Sequence, residues 1–154
     1  MARAPFQILV LPFRVASLDV FEYALFKRSD ESYWQGIAGG GEDSETPLAA
    51  AKREAFEEAQ VPLSTPFFAL QTTSMIPVYH FKAQALWSHA RYVIPQYCYA
   101  ADCSAITVCL SDEHSEYRWV EYDEAVTLLR WDDNKTALWE LQERLRNRDL
   151  RVAL

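Results

Sequence analysis

The sequence predicts a mixed α and β fold in which helices cover a mainly β core, and three observations predict it. Runs rich in β-branched and aromatic residues dominate the middle of the chain. Three capped stretches carry helical composition or spacing. Apolar character continues to the last helix, with no repeat, low-complexity run or linker-like segment at which a boundary could be drawn. With 154 residues and 50% of them apolar, the chain is expected to form one domain over 1–154, with a core that needs neither disulfides nor a structural metal.

The N-terminal stretch reads as the first strand, Phe6 to Val15, because Pro5 and Pro12 interrupt its apolar run and no small-residue cleavage site follows. Further strand-like runs are Val20 to Lys27, Phe67 to Met75, Val78 to Trp87, Ile94 to Ala101, Ala105 to Leu110 and Tyr117 to Val120. Thr46 and Pro47 make an N-cap and first-turn pair for a helix over Leu48 to Gln60, which Pro62 blocks from continuing. Asp123 can cap a short helix over Glu124 to Arg130, and Asp133 or Asn134 a longer one to about Arg146. In that last helix Ala137, Leu138, Leu141 and Leu145 recur at helical spacing, as a stripe packed on a sheet would.

Charge and cysteine usage narrow the function. The 22 acidic and 15 basic residues leave a net charge of −7, which repels polyanions and argues against a nucleic-acid binder that works by neutralising phosphates. A small anionic ligand could still bind through a metal. The three cysteines, Cys98, Cys103 and Cys109, have no CxxC spacing and are expected to be reduced, mostly buried thiols. No stretch approaches the roughly 20 uninterrupted apolar residues of a membrane span. The expectation is a cytoplasmic protein with no membrane and no nucleic-acid partner.

The chemistry concentrates in the helix after Pro47. Glu54, Glu57 and Glu58 stand at i, i+3 and i+4, so at about 100° per residue they project from one face. Three like charges so placed repel one another and would mildly destabilise a solvated helix. A divalent cation reverses that balance: magnesium takes hard oxygen ligands, one or two of them protein carboxylates, and fills the rest with water and substrate phosphates. Leu48, Ala55 and Ala59 lie on another stripe and can pack on the sheet. Arg53 is four residues from Glu57 and within reach of Glu45, which could orient the site. The loop Gly36-Ile-Ala-Gly-Gly-Gly41 offers backbone that can approach a ligand or metal closely.

Gly39, Glu45, Arg53, Glu54, Ala55, Glu57, Glu58 and Val61 resemble the Nudix box, GX5EX7REUXEEXGU, where U is a bulky or aliphatic residue; eight of its nine specified positions fit. Gln60 stands where the box has glycine, and Ala38 where many members carry proline. Neither change removes a carboxylate, and the turn into Val61-Pro62 is expected to differ in shape.

The resemblance implies an α+β Nudix fold, a mixed sheet sandwiched between helices, and hydrolysis of a nucleoside diphosphate linked to another moiety. It implies Glu57 and Glu58 as main metal ligands, Glu54 completing the metal site or orienting water, and Gly39 or Ala38 offering a backbone carbonyl, with Mg2+ or alternatively Mn2+ as the cofactor. Arg53 and Glu45 would be supports, Arg53 counted with the catalytic group. A further carboxylate outside the box, used as base or ligand, would come from the acidic loop 111–116, with Glu113 the choice. That loop, the strand Tyr117-Arg-Trp-Val120, Trp131-Asp-Asp-Asn134 and Tyr33-Trp34-Gln35 are most similar to the dihydroneopterin triphosphate and dATP pyrophosphatase branch. The implied substrate is therefore a nucleoside or pterin triphosphate, with a dinucleoside polyphosphate, a sugar nucleotide or a catalytically silent nucleotide-binding module as the rivals.

Arg28, after Leu25-Phe-Lys27, is a candidate phosphate clamp. Trp34 is the candidate aromatic contact for substrate, while at least three of the five tryptophans are assigned to packing. His80 and His89 are read as structural, and His114 and Glu116 as ordinary loop polarity.

Overall fold

The first strand is the axis of the molecule. In the computed structural model, which describes residues 2–153, β1 runs from Arg3–Ser17, followed by β2 (Val20–Arg28), β3 (Trp34–Gln35) and β4 (Ile37–Glu42). Then come α1 (Pro47–Ala59), β5 (Phe67–Pro77), β6 (Val93–Asp102), β7 (His114–Val120), α2 (Tyr122–Leu128) and α3 (Asp132–Arg146). Ile8 to Leu11 and Phe13 are buried, so β1 reads as a nearly continuous apolar run covered on both faces rather than as an alternating one.

The sheet follows the order β3-β2-β1-β6-β5, with β4 added on β1 and β7 on β2. Among the strand pairings of the described residues only β1–β6 is parallel, which makes the sheet mixed. The early part of β1 pairs with β4, from Arg3 opposite Glu42 to Val10 opposite Ile37; its later part pairs with β2, from Phe13 opposite Tyr23 onward. The sheet thus forks along β1, and β4 carries the glycines away from β2.

Each face of the fork meets its own helix layer. Ile8, Val10, Phe26 and Ile37 pack with Ala51, Ala55 and Ala59 of α1. Leu9, Leu11, Tyr23 and Leu25 pack with Ala125 of α2 and with Ala137, Leu138 and Leu141 of α3. The expected stripe on α3 is present, its fourth member Leu145 half-buried against the same cluster. Alanines on the inner stripe of α1 let its backbone lie close to the sheet, which brings the next face of the helix to the edge of β4.

Several expected elements differ. Val78 to Trp87 is not a strand: it forms two 3-10 turns, Val78–His80 and Lys82–Leu86, since Pro77 ends β5 and the exposed Tyr79 and Leu86 have no sheet face to cover. Ala105 to Leu110 is irregular, with the Ile106, Cys109 and Ser111 N–H groups bonded to Cys103, Ala59 and Glu58 carbonyls respectively. The glycine loop is instead strand β4. Thr46 caps α1 as expected, accepting from the Ala49 N–H at 3.1 Å. Asp123 lies inside α2, whose cap position is Glu121, and α3 starts at Asp132 after Trp131. Asp133 and Asn134 turn their side chains to tertiary partners rather than capping, as described below. Cys98 and Cys103 are buried free thiols, whereas Cys109 is exposed.

Gln60 ends α1 with φ 55° and ψ 34°, the left-handed conformation that glycine would take without cost, and its N–H returns to Phe56 O at 2.9 Å. The turn therefore keeps the glycine-type backbone, contrary to the expected change of shape. A side chain held there is strained by about 1 kcal/mol. Gln60→Gly should raise the unfolding free energy by up to about 1 kcal/mol in urea denaturation, after the extra chain entropy of glycine is deducted; a loss of stability would contradict this reading.

Candidate active site

Arg53 gathers the acidic face. Its Nε donates to Glu45 Oε2 at 2.8 Å and its Nη2 to Glu45 Oε1 at 3.0 Å and to Gly40 O at 2.7 Å. Its Nη1 donates to Glu54 Oε1 at 2.9 Å and Glu57 Oε2 at 3.2 Å. One guanidinium thus ties strand β4, the segment before α1 and two carboxylates of the helix, a use of the planar fork that lysine could not copy. Glu45 in turn accepts from the Glu42 N–H at 2.9 Å, and the Arg53 hydrogen bonds hold its carboxyl below the usual range.

The three candidate ligands share one face but differ in environment. Glu57 is 56% exposed at its side chain. Glu54 is largely buried beside Gly39, where any Cβ would collide with its carboxylate. The glycine is therefore a steric requirement of the site, not of its own backbone angle. Burial pushes Glu54 up to about 7, with the Arg53 hydrogen bond acting against it. Glu58 is 3% exposed, and its Oε2 is buried with no hydrogen-bond partner among the described residues. Burial first, then the neighbouring carboxylates of Glu113 and Glu54, push Glu58 up to about 10.

These features fit a divalent cation. An orphaned buried carboxylate oxygen is costly unless something outside the polypeptide completes it, and hard oxygens converging beside a strand backbone are the donors magnesium takes. Among the described residues no group of three or more His, Cys, Asp or Glu side chains is already gathered tightly enough to hold an ion by itself.

Beside the carboxylates lies a cleft of about 680 Å3, lined by Arg28, Tyr33, Ala38, Trp131 and a set of glutamine and asparagine side chains. Ala38 and Gly39 are successive residues of β4, so one faces the cleft while the other faces Glu54. Arg28 lines the cleft too, and its charge acts on Glu58. It is held by Asp30 through bonds of 2.7 and 2.6 Å.

Glu54, Glu57, Glu58, Arg53, Glu45 and Gly39 are brought together, with Glu113 reaching Glu58 from the loop before β7. Trp34 is not brought to the cleft: it is 8% exposed and packed in the core, with the Arg118 guanidinium 4.9 Å over its ring. Its neighbour Tyr33 lines the cleft, edge-on to Trp131 at 5.5 Å. His114 is no loose loop residue, since it is 5% exposed, lies 5.3 Å from the Phe26 ring and is held below the usual histidine range by burial. His80 lines the cleft mouth and is exposed, as is His89.

Sequence reasoning missed the polar cleft floor. A signal existed: Ile94, Gln96, Cys98 and Ala100 alternate inward along β6, so Gln96 sits at a position that a period-two reading makes internal.

Residues 18–139 match the NUDIX domain family model. A dihydroneopterin triphosphate diphosphatase from Haemophilus influenzae is 23% identical over 120 residues, covering 74% of this chain and 73% of that protein. The crystal structure of a NUDIX hydrolase from Listeria monocytogenes superposes with a TM-score of 0.87 at 41% identity, over 97% of this chain and 100% of that one. The dihydroneopterin triphosphate pyrophosphohydrolase of E. coli shares the fold with a TM-score of 0.75 at 19% identity, over 94% of this chain and 99% of that one.

The raised carboxyls set the pH dependence of the metal-free protein. A folded value above the unfolded one means that the fold binds more protons, so the contribution is fully present below about pH 4.5 and is lost as pH rises through about 7 for Glu54 and about 10 for Glu58. Thermal melts in EDTA should show Tm falling across that range, and magnesium should raise Tm more at the alkaline end, where it displaces fewer protons. A magnesium effect confined to acid pH would contradict the assignment.

Proposed function

The chain belongs to the NUDIX family, and we propose that it is a magnesium-dependent pyrophosphohydrolase of a nucleoside or pterin triphosphate, releasing a monophosphate and pyrophosphate. As a Nudix hydrolase it acts on pyrophosphate bonds. The observation that carries the metal-dependent reading is the buried Glu58 Oε2 without a partner, one turn of helix from Glu54, whose carboxylate lies against Gly39. The substrate branch is supported by the similarity to the Haemophilus influenzae diphosphatase.

In this reading Glu54, Glu57 and Glu58, with the backbone carbonyl of Gly39, hold the ion. When bound, magnesium would neutralise the diphosphate and lower the pKa of a coordinated water. Arg53 positions the carboxylates and does not touch substrate, because its donors already serve Glu45, Gly40, Glu54 and Glu57. Glu113, exposed on the loop beside Glu58, accepts the proton of the attacking water. As the water oxygen bonds to phosphorus, the opposite P–O bond of the anhydride breaks and pyrophosphate leaves. Arg28, which lines the cleft with its guanidinium bonded to Asp30, is assigned to an outer phosphate oxygen. The aromatic contact expected of Trp34 passes to Tyr33 and Trp131.

Glu57→Gln and Glu58→Gln should each lower magnesium-dependent turnover by roughly a hundredfold or more while leaving the circular dichroism unchanged; unchanged turnover in both would remove the proposed metal site. In a panel of diphosphate compounds, dihydroneopterin triphosphate or dATP should be hydrolysed. If both were inert while a dinucleoside polyphosphate or sugar nucleotide turned over, the branch would be wrong. Tight nucleotide binding with no turnover of any compound would make the chain a silent binding module.

A further inference from the structure

The floor of the cleft is built from carboxamides whose polarity is fixed. Gln7 on β1 and Gln96 on β6 are register partners in the parallel pairing, so their side chains rise next to each other from strands about 4.8 Å apart. Both line the cleft. Gln7 Oε1 accepts from Arg3 Nη2 at 2.6 Å, which leaves the Gln7 Nε2 donor free. Gln96 is arranged the opposite way. Its Nε2 donates to Asp133 Oδ2 at 2.8 Å and to Ser74 Oγ at 3.3 Å, which leaves Oε1 as the free acceptor.

That second orientation is enforced. An ionised carboxylate can only accept, so Asp133 selects the amide end that faces it. Asp133 is itself fixed, because Oδ1 accepts from the Asn134 N–H at 2.8 Å and Nδ2 at 2.9 Å, and Asn134 Oδ1 accepts from the Gly36 N–H at 3.1 Å. Gln96 is 4% exposed and Gln35, on the same floor, 6% exposed; the Gln35 carboxamide has no hydrogen-bond partner among the described residues. The free amide atoms of these two nearly buried residues open to the cleft, where a ligand can use them. Tyr33, Trp131 and Phe81 add aromatic rings to the lining, beside Met75, Ile76 and Pro77.

We propose that Gln7 and Gln96 read the heterocycle of the substrate, their donor and acceptor meeting a ring edge that carries an N–H beside a ring acceptor or carbonyl. Adjacent donor and acceptor are a property of nucleobases and pteridines, and the aromatic rings of the lining suit a flat ring. Asp133 is a positioning residue that sets which end of Gln96 faces the ring, and Gln35 adds a third contact. This inference rests on the reading of the chain as a hydrolase of a heterocycle-bearing triphosphate.

The test separates the two. Steady-state kinetics with dATP and dihydroneopterin triphosphate are compared with 2-deoxyribose 5-triphosphate, which lacks the ring. Gln7→Leu and Gln96→Leu should raise KM for the ring-bearing substrates roughly tenfold, with kcat within about twofold and the ring-free compound unaffected. Asp133→Asn, nearly isosteric, releases the lock on Gln96 and should change the preference between adenine and lactam rings, read as the ratio of their kcat/KM values. Calorimetric titration of the wild type and variants with a non-hydrolysable dATP analogue and its ring-free counterpart reads the same discrimination without chemistry. If the wild type hydrolyses its substrates and the variants keep every KM and affinity, the floor does not read the ring and the inference fails. If no compound is hydrolysed, the functional reading fails, while the titrations still decide whether Gln7 and Gln96 bind a ring.

Discussion

The arrangement of the acidic face depends on Arg53. Three glutamates on one helix face repel one another, and burial adds a desolvation cost to Glu54 and Glu58. A single guanidinium offsets part of this by bonding Glu54 and Glu57 on the helix while anchoring itself on Glu45 and on Gly40 O of β4. The same contacts fix the distance between α1 and the strand beside it. Gly39 faces the helix there, and a side chain at its position would strike Glu54. Site geometry and helix–strand packing are therefore one constraint rather than two.

The forked sheet supplies the other half of the arrangement. Because β1 pairs first with β4 and then with β2, the glycine strand and Arg28 at the end of β2 converge on one region from different directions. Ala38 and Gly39 then turn neighbouring side-chain positions of β4 toward the cleft and toward the carboxylates. In the proposed reading a phosphate chain would lie near the charges and a ring in the cleft. The partnerless oxygen on Glu58 and the free amide valences on Gln7, Gln35 and Gln96 mark the two ends of that path.

The fold class, the carboxylate helix and the packing stripe of α3 were legible because each rests on local periodicity or on spacing within a few turns. Glycines in the segment before α1 made β4 read as a loop, although its backbone is paired with β1 from Glu42 to Ile37; pairing is a long-range property that composition does not carry. Val78 to Trp87 failed in the other direction, since its aromatic content suits a strand but no neighbouring strand is there to accept it. Gln60 kept the left-handed turn because the bond from its N–H to Phe56 O outweighs the strain of a side chain at positive φ. The box residues were legible through their pattern. The cleft floor was not, because Gln7, Gln35, Gln96 and Asp133 come from four elements or their edges and gain meaning only from the hydrogen bonds that orient them.

Binding of Mn2+, followed by its electron paramagnetic resonance signal in the wild type and in Glu58→Gln, tests most directly whether the face held by Arg53 is a metal site. The expected result is saturable binding by the wild type and an affinity weakened roughly tenfold or more in the variant, with the fold intact. Equal affinity and stoichiometry in the two proteins would contradict it.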